Sequence, residues 1–535
     1  MGEPYFTPGL PVTIDRHGLR DADAGDLAVV RTGRGRARLE RVLGKAADIR
    51  AVLEGLLVET GARRELEPYD PPRADAEGRV DLRDLIAFTI DPETAKDFDD
   101  AISVRREGDG VRIWVHIADV SHFVPAGSPL DHGAAERALS TYVPGTVAPM
   151  LPHELADDLC SLRPDVDRLC VTVEFPPDGE PRFYRSVIRS RARLTYGQAE
   201  RREAAPEIVE ALDLADSVSQ ELRRRRFARG SLRIDSREVA FRFDGRGGVA
   251  DAWIEEEPQA HALIEELMIL ANEAVASFLG SRRAETLYRV HERPDPQAIA
   301  LLVARLADLD VPTPPVPELD ALSPAGAARL AADVADRVHD YMARSGRGRE
   351  AFPTLVLRSL KQARYDPENL GHSGLASRAY CHFTSPIRRY PDLVVHRALL
   401  RELGQGDDPP PEDAASLAEH ASRREREAAD VEYRADDLCL AWLLESRLFE
   451  LGWDHVFEGE ITSVIGSGLF VRFDAVCEGF LPARRLGGDF YELNALATAV
   501  IGRRGGGPYR LGDPISVRVE EIRRAEGKIE LNLAR

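Results

Sequence analysis

Four carboxylates fall within ten residues of DPETAKDFDD, at Asp91, Asp97, Asp99 and Asp100. The apolar run LIAFTI before Asp91 reads as a strand, so Asp91 closes that strand and the other three follow in a short loop. Carboxylates this close repel one another, and keeping all of them ionised is costly. A divalent cation removes that cost. Mg²⁺ suits the pattern because it takes oxygen ligands, keeps several waters, and combines a few carboxylates with substrate phosphate oxygens. Phosphodiester hydrolysis by two metals needs such a cluster, with one ion at the attacking water and one at the leaving oxygen. The plainer alternatives are a solvated acidic turn or a calcium loop. An EF-hand loop needs Gly at its sixth position and Glu at its twelfth; counted from Asp91 those positions hold Lys96 and Ile102.

A second segment, HFTSPIRRYPDLVVHR, offers two guanidinium forks at Arg388 and Arg389, after a turn-favouring Ser385-Pro386 and before a helix-breaking Tyr390-Pro391. Arginine forks suit phosphate and can stabilise charge that develops during reaction. Surface salt bridges at a helix start are the alternative. In STYVPGTVAPM, Tyr142 sits beside Pro144 and Gly145, where a loop could present its ring to a base; a core tyrosine is the plain reading. His116 and His122 lack metal-ligand spacing and sit in an apolar run, which points to core or hydrogen-bonding roles. Cys160, Cys170, Cys381, Cys439 and Cys477 form no C-x-x-C pair and read as buried free thiols.

The elements that must hold these groups follow from periodicity. Residues 1 to about 45 read as short strands of a small barrel (LPVTI and GDLAVVRTGRGRARLERVLG). Ile49, Val52, Leu53, Leu56 and Leu57 recur at helical spacing, and LEPYDPPRADAEGR is a linker by its Pro, Asp and Gly content. The middle opens with the strands DLIAFTID, VRIWVHIADVSHFV and LCVTVEFP, then turns mainly helical. Ile264, Leu267, Met268, Ala271 and Val275 form one apolar stripe there, and Ala414 to Leu451 is one long charged helix. VPTPPVPELD and GQGDDPPPEDAA read as surface loops. From about Val456 five short strands suit an OB barrel, a common binder of single-stranded RNA.

Six segments in order (TIDPETAKDFDDAI, WVHIADVSHFV, TYVPGTVAPMLPHELADDLCSL, HALIEELMILANE, LYRVHERPD and ENLGHSGLASRAYCHFTSPIRRYPDLVVHR) resemble the catalytic domain of the ribonuclease II/ribonuclease R family. The resemblance implies an α+β multidomain protein with a central mixed α/β RNB catalytic domain flanked by OB-type β-barrels. Its parts would be a partial cold-shock-like domain with helix and linker at 1–80, the catalytic domain at 81–451, and a C-terminal OB-fold RNA-binding domain at 452–535. It implies processive 3′→5′ hydrolysis of single-stranded RNA to nucleoside 5′-monophosphates. It assigns Asp91, Asp97, Asp99 and Asp100 to Mg²⁺, Asp99 and Arg388 to catalysis, and Tyr142 to stacking on the 3′-terminal base. Tyr288 would supply an opposing ring, and Arg389 and Glu432 would contact RNA. REREAADVEYRADD departs from the family's usual run around Glu432. The family's usual pair of cold-shock domains exceeds the roughly 80 residues before the catalytic segment, and the chain ends at LNLAR rather than in a basic tail. Structured RNA is therefore expected to be a poor substrate.

A chain of 535 residues is too long for one core and implies several domains. Its charged fraction of 30% and hydrophobic fraction of 43% are those of a globular protein. No secretory signal or membrane-spanning run is visible, so a cytoplasmic monomer is expected. A formal net charge of −20 argues against a nucleic-acid partner only if charge is uniform, and arginines cluster at 223–226, 388–389, 423–426, 484–485 and 503–504. The competing class is an RNA-binding protein of the same fold without catalysis, which would show itself as substituted aspartates; all four are present. A maturation nuclease with restricted targets would carry the same motifs.

Overall fold

Apolar residues separate into distinct buried clusters, and the long helix Ala414–Leu451 takes part in two of them. The structure is a computed structural model and describes residues 2–7, 9–15, 22–32, 37–66, 69–233, 238–255 and 259–534. Strands β1 (Asp26–Thr32) and β2 (Ala37–Lys45) form an antiparallel ribbon, followed by the helix Ile49–Glu59. The expected N-terminal barrel does not close among the described residues. The LPVTI segment contributes only single bridges at Val12 and Ile14, and the glycine-containing turn at 33–36 lies outside the described residues, as do Glu67 and Pro68 of the linker.

The catalytic segment is built on one sheet of six strands: β3 (Val80–Asp81), β4 (Ala87–Asp91), β5 (Asp100–Glu107), β6 (Gly110–Ala118), β9 (Asp167–Phe175) and β10 (Arg182–Thr195). A short hairpin, β7 (Thr141–Val143) with β8 (Thr146–Ala148), lies outside it. The sheet order is β3-β10-β4-β5-β6-β9, and β10 is long enough to pair with three strands, β3, β4 and β9. Its first half runs antiparallel to β9, and its second half runs parallel to β4 with Thr195 opposite Asp91. The sheet thus curls back on itself. VHIADVSHFV is a strand only as far as Ala118; Val120–Phe123 is a helical turn. Helices Pro206–Ala228 and Gln259–Arg282 cover the sheet, burying Ile264, Leu267, Ala271 and Val275 of the expected stripe, with Met268 packed partly against it.

In the C-terminal part the strands Phe457–Ile465, Gly468–Phe473, Cys477–Pro482, Pro514–Arg523 and Lys528–Leu533 close a five-stranded barrel, as the spacing of short strands predicts. A three-stranded insert (Tyr491–Leu493, Ala499–Gly502, Tyr509–Arg510) was not legible, because its strands are two to four residues long. All five cysteines are buried free thiols. His116 is buried, with its ring nitrogens hydrogen-bonded to Ser103 and Thr172. Among the described residues no helix is long and apolar enough to cross a membrane.

Candidate active site

Asp91 closes β4 and Asp100 opens β5, so the two strand ends set the separation of the outer carboxylates. The loop between them is pinned from behind. The Phe98 amide donates to Ser161 Oγ at 3.1 Å, the Ser161 hydroxyl donates to the Lys96 carbonyl at 2.6 Å, and the Leu162 amide donates to the Phe98 carbonyl at 2.9 Å. Ser161 was not singled out from sequence; it lies in the motif ADDLCSL, whose segment clasps the aspartate loop.

Asp99 is 4% exposed and faces the distant SPIRR segment. Its Oδ1 accepts the Ile387 amide at 2.8 Å, and Arg388 Nε lies 3.6 Å from its Oδ2. The Arg388 side chain keeps 46% of its surface exposed, and its Nη2 donates to Ser385 Oγ at 3.3 Å. Burial pushes the Asp91 carboxyl up to about 6, against the charge of Arg193. Burial together with the charge of Asp91 pushes Asp100 up to about 7. Asp99 is also raised well above the usual carboxylate range by burial, with Arg388 opposing. Oδ2 of Asp91 and Oδ2 of Asp99 are buried without a hydrogen-bond partner among the described residues.

These orphaned oxygens are the fit test for a cation. Buried, mutually repelling carboxylates with unsatisfied oxygens call for positive charge. Among the described residues no three His, Cys, Asp or Glu side chains form a ready-made metal cage.

Tyr142 is the middle residue of β7, opposite Val147 and 38% exposed. Gly145 takes φ +78° at the turn, a conformation that costs a glycine little. The Tyr142 hydroxyl donates to Asp97 Oδ2 at 2.6 Å, and its amide donates to Glu432 Oε1 at 2.8 Å. The hairpin is also tied to the arginine segment, where the Ser140 amide donates to the Arg388 carbonyl at 3.0 Å. The structure thus brings Asp91, Asp97, Asp99, Asp100, Tyr142 and Arg388 together.

Two expectations are corrected, and a third residue has a further partner. Tyr288 is 4% exposed and packed in the apolar cluster beneath the sheet, so no opposing ring comes from it. Arg389 is spent on Asp392, donating from Nε at 2.9 Å and from Nη2 at 2.8 Å. Asp392, fully buried, also accepts the Ser385 amide at 2.8 Å, so this pair shapes the turn that presents Arg388. Glu432 accepts the Tyr142 amide through Oε1. Burial and the charges of Asp100 and Asp91 raise the Tyr196 phenol above its ordinary value.

The RNB domain matches residues 79–405, and the S1 RNA binding domain matches residues 451–534. The chain is 37% identical over 562 residues to Ribonuclease R of Escherichia coli (strain K12), covering 96% of this chain and 67% of that relative. The chain belongs to the ribonuclease R family. It is an exoribonuclease by this membership. Its backbone superposes on RNase R from Mycoplasma genitalium, solved in complex with ribose methylated single-stranded RNA, with a TM-score of 0.86 at 25% identity, covering 98% of this chain and 85% of that one. Yeast Ssd1, a pseudonuclease, shares the fold at a TM-score of 0.67 and 17% identity, over 91% of this chain and 63% of that one. The fold alone therefore does not imply catalysis; site residues must supply it.

Proposed function

We propose that this chain degrades single-stranded RNA processively from the 3′ end in a Mg²⁺-dependent reaction, releasing nucleoside 5′-monophosphates in RNA decay or processing. The observation that carries this reading is the convergence of Asp91, Asp97, Asp99 and Asp100 with Arg388, two of the carboxylates having buried, unpartnered oxygens. Each chain supplies the whole set, so a monomer suffices.

The four aspartates are the residues that would hold Mg²⁺. When bound, the ion supplies Lewis-acid activation of water and charge neutralisation at the phosphate. The rest is the work of side chains. Arg388, exposed and beside Asp99, is positioned to donate to phosphate oxygens as negative charge builds on them. Tyr142 offers an exposed ring face to the terminal base, and base stacking of that kind tolerates any sequence. Asp99, anchored to the Ile387 amide, keeps the arginine segment at a fixed distance from the aspartate loop.

The test is a 5′-labelled single-stranded RNA incubated with the protein and Mg²⁺ or with EDTA. Full-length label should pass directly to a short remnant, with mononucleotides released, and EDTA should stop the reaction. Undiminished turnover in EDTA sinks the metal assignment; a ladder of all intermediate lengths sinks processivity.

A further inference from the structure

Arg193, near the end of β10, stands directly opposite Thr89 in β4, two residues before Asp91. Its Nη2 donates to the carbonyl of Pro92 and, at 2.9 Å, to that of Glu93, the first two residues of the aspartate loop. Its guanidinium lies 5.5 Å from the ring centroid of Phe98, the residue between Asp97 and Asp99. One side chain therefore grips the loop where it leaves β4 and again where it delivers its last two carboxylates. Ser161 holds the same loop from the other side. A loop that carries ligands and is fixed only by its strand ends would have to be ordered each time an ion binds, and that ordering weakens binding.

We infer that Arg193 is a positioning residue for the divalent cation: its Nη2 on the Pro92 and Glu93 carbonyls and its guanidinium over the Phe98 ring pre-set the spacing of Asp91, Asp97, Asp99 and Asp100. The inference rests on the reading that these aspartates hold a divalent cation. The function asks for arginine in particular. A lysine brings the charge and can reach the carbonyls, but its single ammonium there leaves no guanidinium over the ring.

Arg193→Gln and Arg193→Lys test it, with Mn²⁺ as the probe ion. Binding is followed by titration calorimetry and by the loss of the free-ion electron paramagnetic resonance signal. RNA affinity is measured in EDTA. Both variants should bind Mn²⁺ on the order of 10- to 100-fold more weakly, the usual effect of losing a group that orients metal ligands. The Mg²⁺ concentration for half-maximal turnover should rise in parallel, with RNA affinity in EDTA and the thermal transition unchanged. Wild-type protein that takes up no Mn²⁺ overturns the metal reading itself. Wild-type protein that binds Mn²⁺ while both variants bind it equally well overturns the role of Arg193 alone. Unchanged Mn²⁺ affinity with weaker RNA binding would make Arg193 a phosphate contact instead. Loss of the cooperative thermal transition in both variants would make it merely structural, and either result overturns the inference.

Discussion

Asp99 does two jobs that a single substitution separates. Its Oδ1 accepts the Ile387 amide and its Oδ2 is buried without a partner. Asn keeps one carbonyl oxygen for the amide but loses the charge. Asp99→Asn is therefore expected to fold, to bind RNA and to hydrolyse nothing measurable, checked by mononucleotide release against binding in a filter or anisotropy assay. Arg388 differs because its side chain is half-exposed and no backbone depends on its guanidinium. Arg388→Ala should lower kcat on the order of 10²–10³-fold, as for removal of one donor to transition-state charge, with RNA affinity changed far less. Steady-state kinetics that show the loss in KM with kcat intact would make it a positioning contact. The aspartates were legible from sequence because their chemistry is packed into ten residues. Arg388 was not legible by spacing, since its neighbour Ile387 is 288 residues from Asp99; motif resemblance alone joined them. Tyr288 misled because an aromatic in a motif looks the same whether its strand turns it to a cleft or to the core.

The hairpin of β7 and β8 is too short to hold its own geometry, because a two-stranded ribbon of three residues per strand is marginal in water. It is held instead from the long helix, by Glu432 accepting the Tyr142 amide, and from the arginine segment through Ser140. Glu432→Ala leaves that amide without its acceptor, which costs about 1–3 kcal/mol where water cannot replace it. Single-stranded RNA should then bind roughly 10-fold more weakly, because the ring is no longer held for the base. The decisive measurement is a double-mutant cycle. In a Tyr142→Ala background the effect of Glu432→Ala should largely vanish, and full additivity would show that Glu432 acts elsewhere. The bond between Glu432 and the Tyr142 amide was not legible in the sequence. A helix can be read from its 3.6-residue period, but which hairpin its exposed face receives is a tertiary fact. The C-terminal strands were legible for the opposite reason, since alternation and glycine punctuation are local, and the barrel closes with the expected five strands.

At the scale of the whole molecule, the aspartate site couples the fold to pH and to the cation. The ordinary value for an aspartate is 3.8, and burial raises Asp91 to about 6 and Asp100 to about 7, with Asp99 raised as well. A carboxyl whose folded-state value is raised binds more protons in the native state than in the unfolded chain. Stability from these groups is therefore highest where they are protonated in both states, and it falls as pH climbs from the unfolded value through the folded values. It then stays low above them, at the pH where the enzyme must work. The site sits between β4 and β5 of the sheet that carries the catalytic segment, so this penalty bears on the element that organises the fold. Buried charge of one sign is costly, and the charges of Arg388, Arg193 and Arg389 together still leave all three carboxyls raised. A bound divalent cation replaces the missing protons. Binding to the native state alone adds stability that grows with ion concentration over Kd, and competition from protons weakens that binding as pH falls. Mg²⁺ is accordingly expected to raise Tm more at about pH 8 than at about pH 5, with the crossover between about 6 and 7 where Asp91 and Asp100 lose their protons. In Asp99→Asn the Mg²⁺-dependent increment at the higher pH should shrink while the Mg²⁺-free Tm rises, because one buried charge has been removed. Differential scanning calorimetry with and without Mg²⁺ across this range checks both. A Mg²⁺ increment of equal size at the two ends of the range would mean that the ion stabilises the fold from somewhere other than these aspartates.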